Sequence, residues 1–413
     1  MKKYKILIIS DHAFSPSGVG VQSKLLIEGL LKTKKYSIIQ LGAAVRHQSL
    51  ETIKVNDDFY IKPINGFGNV NLIRSILINE TPDALIIFSD PRFFEYLFEI
   101  EDEIHQICPI LWWHVWDNKP YPDFNRWMYD SVDTINCLSY LTYELISSNI
   151  KENKVNYIPH SYPKEMFYKL KKSEIQEEKQ RILGKESEDS FVCLWVNRNC
   201  KRKRPLDLIV SWRAFLDILP EGEQKKCLLI MHTDIKDQHG SDLESIVNHL
   251  QLDKNVIFST TKINTSMLNV LYNISDVTIN ISFNEGFGLT TLESMMTQTP
   301  IIAVKTGGLE RQVINHETQE EHGIAIDVDY ITVSGNQKVK FLNEDHVLCE
   351  NIANSIKKFY DFDDNKKSVL GKKSYEYALK EFNYKNCIKL WDKSIEKTVS
   401  TFKKRNRFEI INC

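Results

Sequence analysis

Short apolar runs alternate with amphipathic helical stretches along almost the whole chain, and this alternation limits the fold more than any other feature. KILIIS (5–10), YSIIQL (36–41), DALIIFS (83–89), PILWWH (109–114), DTINCLS (133–139) and NYIPH (156–160) read as strands in the first half. FVCLWVN (191–197), CLLIMHT (227–233), NVIFST (255–260), VTINIS (277–282), PIIAV (300–304) and GIAIDV (323–328) repeat the pattern in the second. The stretch VQSKLLIEGLLK (21–32) sets Leu25, Leu26, Gly29 and Leu30 on one helical face. Strands that are apolar throughout are covered on both faces, and helices between them imply parallel pairing. The predicted class is α/β, with two doubly wound domains.

The 413 residues suit two domains of about 100–200 residues each. We place the first over 1–165 and the second over 166–385, with 386–413 a helical tail packing back toward the first. The segment 163–190 between the halves is charged and helical in character. Residues 331–345, ITVSGNQKVKFLNED, read as a β-hairpin around Gly335-Asn336.

A net charge of −2 gives no global argument for nucleic acid or an anionic membrane. No nucleic-acid partner is expected, although the tail carries the basic run KKRNR (403–407) followed by FEII. The eight cysteines form no CxxC pair, and Cys137 and Cys193 sit inside apolar runs. Reduced, buried thiols fit this pattern, and with them a cytoplasmic location. MKKYKILIISD has too short an apolar run for a secretory leader, and no run reaches the 18–20 residues of a transmembrane helix. Peripheral association with a membrane stays open.

In open α/β sheets ligands bind beyond the carboxyl ends of strands. Behind the first strand lies SDHAFSPSGVGVQ (10–22), where Gly18 and Gly20 precede a helix. Their amides could face an anion, or the glycines could serve a plain tight turn. No acidic residue ends the second strand, which argues against a dinucleotide site. Behind FVCLWVN comes NRNCKRKRP (197–205), whose cations could clamp a diphosphate or simply be solvated. Behind VTINIS comes EGFGLTTLE (285–293). Its glycines let backbone approach a ligand, and amides from Gly286 through Phe287, Gly288, Leu289 and Thr290 open a helix that could hold phosphate. Glu285 could accept hydrogen bonds from sugar hydroxyls, and Glu293, about two turns into the helix, from a ribose. The alternative is a helix N-terminus with favourable acidic residues. KTGGLER (305–311) places one more glycine pair at a strand end.

NEGFGLTTLESMMTQTPIIAVKTGGLE resembles the signature of retaining glycosyltransferases of the GT-B fold, family four: E-x7-E, an apolar strand and GG. IPHSYPKEMF (158–167) is similar to that family's interdomain segment, VNRNCKRKRP to its diphosphate loop, and LYNISDVTINIS (271–282) to the stretch before the signature. SPSGVGVQ fits its N-terminal glycine loop. The resemblance implies two Rossmann-like domains facing across a cleft. It implies donor sugar contacts from Glu285, ribose contacts from Glu293, and neutralisation of the leaving diphosphate by Arg198 and Lys203. Arg202 and Arg204 remain alternatives to Lys203. Amides of Gly286 to Thr290 would support sugar and phosphate, and Gly18 and Gly20 would approach the donor phosphates. His114 would lie near the transferred sugar; the other reading packs it among Trp112, Trp113 and Trp116. Asn197 and Arg204 stand where the family has glycines, and His160-Ser161 where it has Asn-Gly.

The implied reaction moves a hexose with retention from a nucleoside diphosphate sugar, a UDP-sugar before a GDP-sugar, to a glycan, lipid-linked or protein acceptor. No cofactor and no metal are expected, since no DxD motif stands at a suitable strand end. No carboxylate is evident for a two-inversion route, which leaves a front-face displacement. A nucleotide-sugar epimerase of the same fold and a non-catalytic sugar-nucleotide or glycan-binding protein are the competing readings.

Overall fold

The computed structural model describes residues 3–46, 48–150 and 153–405. The end of the basic run and the FEII after it lie outside the described residues. The chain divides into two compact units. The first holds residues 1–161, 335–341 and 384–413, and the second holds 162–334 and 342–383.

The first unit is built on eight strands: β1 (Tyr4–Asp11), β2 (Tyr36–Ala43), β3 (Ile53–Asn56), β4 (Phe59–Pro63), β5 (Ala84–Phe88), β6 (Ile110–His114), β7 (Thr134–Cys137) and β8 (Val155–Tyr157). Their order is β3-β4-β2-β1-β5-β6-β7-β8. All neighbours pair in parallel except β3 with β4. The order reverses between β1 and β5, so their carboxyl ends form a switch point of the kind that takes ligands. The apolar runs of β1, β5 and β6 are buried along nearly their whole length, as strands covered on both faces require.

The β3–β4 hairpin is an addition to the sequence reading. Every residue of β3 is exposed, so ETIKVN carries none of the apolar continuity that marks a central strand. The helix Tyr384–Thr401 closes the first unit. It lies so close to the helix Gly18–Lys32 that a Cβ on Gly29 would stand 2.3 Å from Ile388. Asp392 on that helix accepts from Tyr36 Oη at 2.6 Å and pairs with Lys35 at 2.8 Å.

The second unit carries β9 (Phe191–Val196), β10 (Cys227–His232), β11 (Val256–Ser259), β12 (Val277–Asn280), β13 (Ile301–Val304) and β14 (Ile324–Ile326). They form one parallel sheet ordered β11-β10-β9-β12-β13-β14. Its core packs Trp195, Trp212, Phe215, Leu229, Ile279, Ile302 and Phe359 around the sheet. A separate antiparallel hairpin, β15 (Tyr330–Ser334) with β16 (Leu342–His346), turns at the expected glycine. The 163–190 segment is α-helical over Lys172–Leu183, followed by one 3-10 turn at Lys185–Ser187. Leu170 and Tyr168 upstream are tied instead by backbone amides to Asn273 and Asn269, which holds that stretch out of a helix. No helix among the described residues is long and apolar enough to cross a membrane.

Candidate functional site

The second sheet reverses order between β9 and β12, so the loops that follow these two strands meet at its switch point. They are NRNCKRKRP and the segment leading into EGFGLTTLE.

The first loop makes a single 3-10 turn, Lys201–Lys203. Arg204 then adopts a left-handed backbone with φ 55°, and Pro205 opens the next helix at a position where proline's missing N–H costs nothing. This path separates the basic side chains. Lys203 is buried and its Nζ meets Glu285 Oε2. Arg202 approaches Glu285 Oε1 at 3.6 Å and donates to the Asn284 carbonyl at 2.8 Å. Arg204 turns inward, donating to the Val347 carbonyl at 2.8 Å and to Asp207 at 2.7 Å, with its guanidinium 5.1 Å from the Phe283 ring centroid. It braces the loop and is no alternative to Lys203 at Glu285. Arg198 points elsewhere: its side chain is 60% exposed and pairs through two nitrogens with Asp237, on the loop after β10.

Glu285 is buried, which by itself raises a carboxyl pKa; the charges of Lys203 and Arg202 outweigh this and hold it below its ordinary value. It is an ionised acceptor with a fixed cation on one oxygen. Asp237 is drawn down to about 2 by the Arg198 guanidinium.

The glycine turn between the two glutamates is clamped from behind. The Gly308 amide donates to the Glu285 carbonyl at 2.8 Å, and Gln312 Nε2 donates to the Phe287 carbonyl at 2.6 Å. Phe287 is buried against Phe382, so its contribution outward is backbone only. Gly288 sits at φ 91°, where an L side chain is strained, and caps the helix Leu289–Met296. The helix therefore starts later than the sequence suggested, and Glu293 lies a little over one turn inside it, not two. A Cβ on Gly308 would stand 2.4 Å from Phe287 Cα and 2.6 Å from the Gly286 carbonyl oxygen, both backbone. Gly308→Ala is expected to cost about 1–3 kcal/mol by displacing this turn, read as a lower urea midpoint. An unchanged midpoint would show that the turn yields freely.

Glu293 is buried, and both its oxygens are occupied: Tyr162 Oη donates to Oε1 at 2.6 Å and Tyr272 Oη to Oε2 at 2.7 Å. Burial lifts its pKa to about 7, against the lowering effect of the two phenols. Between about pH 4.5 and 7 the folded chain therefore holds this proton more tightly than the unfolded chain, and stability falls as pH rises through that window. A rise of about 2.5 units corresponds to roughly 3 kcal/mol. Glu293→Gln should accordingly gain stability relative to wild type as pH goes from 5 to 8. A difference that stays flat across that range would contradict the assignment.

In the first unit the loop after β1 folds on itself. Ser17 Oγ donates to Asp11 Oδ2 at 2.6 Å and accepts the Gly20 amide at 3.0 Å. That amide is spent on capping the helix, and a Cβ on Gly20 would meet Ser15 Oγ at 2.2 Å and the His12 carbonyl oxygen at 2.7 Å. Gly20 thus has a packing reason of its own, while Gly18 is exposed at the first position of the helix. His114 ends β6 fully buried. Its ring lies 4.3 Å from the Trp112 ring, and its Nε2 lies 3.1 Å from Tyr129 Oη, while Nδ1 has no hydrogen bond. Burial pushes its pKa down to about 3, so the imidazole is neutral.

The sequence reading missed Asp237, Tyr162 and Tyr272. Tyr162 and Tyr272 both stood in stretches that the motifs had singled out, IPHSYPKEMF and LYNISDVTINIS, while Asp237 did not.

Residues 175–359 match the model of the family described as glycosyl transferases group 1. A trehalose synthase from Thermococcus litoralis is 23% identical over 215 residues, 51% of each chain. The chain thus spans about half the length of that curated relative. Among solved structures, sucrose-phosphate synthase from Thermosynechococcus elongatus superposes with a TM-score of 0.75 at 15% identity, over 96% of this chain and 100% of its own. HepE from Anabaena, solved in complex with UDP and glucose, gives 0.69 at 14% identity, over 95% and 100%. The fold is α/β with two Rossmann-like domains, as in GT-B glycosyltransferases. Residues 175–359 thus match a glycosyl transferases group 1 model within a fold like that of GT-B glycosyltransferases.

Proposed function

We propose that this chain is a retaining glycosyltransferase that moves a hexose from a nucleoside diphosphate sugar, UDP before GDP, to an acceptor hydroxyl by a front-face displacement without a metal ion. The observation that carries the reading is the meeting of Lys203, Arg202, Glu285 and a clamped glycine turn at the switch point of the second sheet. HepE, of the same fold, was solved with UDP and glucose, which favours uridine for the donor base.

In this reading the donor's anomeric C–O bond to the diphosphate breaks while the acceptor oxygen approaches from the same face. The departing diphosphate oxygen takes the acceptor's proton. The protein's task is to stabilise the charge that grows on the diphosphate. Lys203 engages Glu285 and, as an ammonium with three N–H donors, would turn toward the phosphate oxygens when the donor binds. Arg198 would leave Asp237 to bind the diphosphate in bidentate geometry. Glu285, kept ionised by its cations, accepts from sugar hydroxyls, and amides of Gly286 to Thr290 meet the sugar and phosphate. Glu293 receives the ribose. With guanidinium and ammonium groups supplying the positive charge, the leaving group needs no cation from solution.

A panel of UDP- and GDP-sugars tests this by thermal shift, followed by hydrolysis and by NMR of the product's anomeric configuration. One UDP-sugar should raise the melting temperature in a concentration-dependent way and yield a retained product. Absence of a shift from every nucleotide sugar, or an inverted product, would overturn it.

A further inference from the structure

Glu293 is held by a cage that its place in the helix Leu289–Met296 does not require. Tyr162 opens the second unit, and Tyr272 lies in the helix Thr265–Ile274. Each gives one hydroxyl to a different carboxylate oxygen. Phe167, buried itself, wedges between them, 5.0 Å edge-to-face from Tyr162 and 6.0 Å from Tyr272. Tyr162 is further tied by a parallel bridge to Asn383. The two phenols thus cannot swing freely, and the carboxylate plane is fixed by both.

The neighbouring elements bring no counter-charge to Glu293. On the helix Asp364–Glu381, Tyr377 is turned to His316 and His322, Glu381 to Arg311, and Lys380 to Glu317. On β12 and β13 there is no titratable side chain. The titratable groups facing Glu293 are the two tyrosines.

An ionised carboxylate has about four acceptor sites, two on each oxygen. With one phenol on each oxygen, one acceptor site per oxygen remains, which matches in number a pair of adjacent hydroxyls. A proton on either oxygen removes one of them.

We propose that Tyr162 and Tyr272 are positioning residues that orient Glu293 to read a cis-diol of the nucleoside, one hydroxyl per oxygen. This rests on the glycosyltransferase reading above. The cage makes recognition of the ribose depend on pH. Protonating Glu293 closes one acceptor, so nucleotide affinity falls on the acid side of its titration. Removing either phenol withdraws a hydrogen bond from the charged form and moves that titration upward.

The test uses the full chain, UDP and 2′-deoxy-UDP as probes, and calorimetry from pH 5.5 to 8.5. Wild type should bind UDP more weakly below about pH 7 and should prefer UDP over 2′-deoxy-UDP. Tyr162→Phe and Tyr272→Phe should each bind UDP about tenfold more weakly at pH 7.5, as expected for losing a hydrogen bond to a charged group. In both, the midpoint of the pH dependence should move up and the preference over 2′-deoxy-UDP should narrow. A merely structural role would weaken both probes equally and leave the midpoint in place, which would overturn the inference. So would variants that match wild type throughout. Wild type binding neither UDP nor GDP at any pH would instead overturn the glycosyltransferase reading, and this inference with it.

Discussion

Glu285→Ala is expected to abolish sugar transfer and also to weaken the second unit. Lys203 is buried against Glu285, and Arg202 approaches the same carboxylate. Taking the carboxylate away leaves an ammonium in the interior without its counter-charge, which typically costs about 3–5 kcal/mol. Loss of activity in this variant is therefore ambiguous by itself. Replacing both members of a buried pair by neutral groups of similar volume removes much of that cost. Glu285→Gln combined with Lys203→Met should recover most of the urea midpoint while transfer stays at least about 100-fold down, since both the sugar acceptor and one diphosphate cation are gone. A stable double variant that still transfers at near the wild-type rate would refute the assignment of this pair to the reaction.

The contrast between the two sites shows which physical signals survive in a sequence. Central strands such as KILIIS and VTINIS were legible because burial on both faces demands unbroken apolar runs. The exposed β3 was not, because an edge strand that faces water on all sides has no such demand. EGFGLTTLE was legible because positive φ at Gly288 restricts that position to glycine, and KTGGLER because the backbone of the turn approaches Gly308 too closely for a side chain. What the loop's cations do was not legible. NRNCKRKRP offers Arg202, Lys203 and Arg204 as equals, and only the left-handed turn at Arg204 assigns one to the interior and another to Glu285. The partners of Glu293 come from 131 and 21 positions away and that of Arg198 from 39, and pairings at that range leave no periodic or local trace. His114 shows the opposite failing. A histidine at a strand end looks like a site residue in sequence, and the structure packs it wholly between Trp112 and Tyr129.

Arg198→Ala is the variant in which chemistry separates from folding. The Arg198 side chain is 60% exposed, so the pair opens to solvent on that side, although the Asp237 side chain is only 11% exposed. Exposed ion pairs contribute about 0–1 kcal/mol, and surface changes of this kind stay mostly within about 0.5 kcal/mol. Melting temperature and urea midpoint should hold. Transfer should fall about 100–1000-fold in kcat, the usual cost of removing one group that stabilises developing charge. KM for the donor should move far less, because the charge on the diphosphate is greatest as the sugar departs. Arg198→Lys should restore part of the rate and no more, because an ammonium supplies the charge without the planar two-point geometry. Asp237→Asn should leave the stability unchanged and free Arg198 from its resting partner, so its rate should equal or exceed that of wild type. An Arg198→Ala chain with near-normal kcat would remove Arg198 from the leaving-group site and leave Lys203 as the cation to test there.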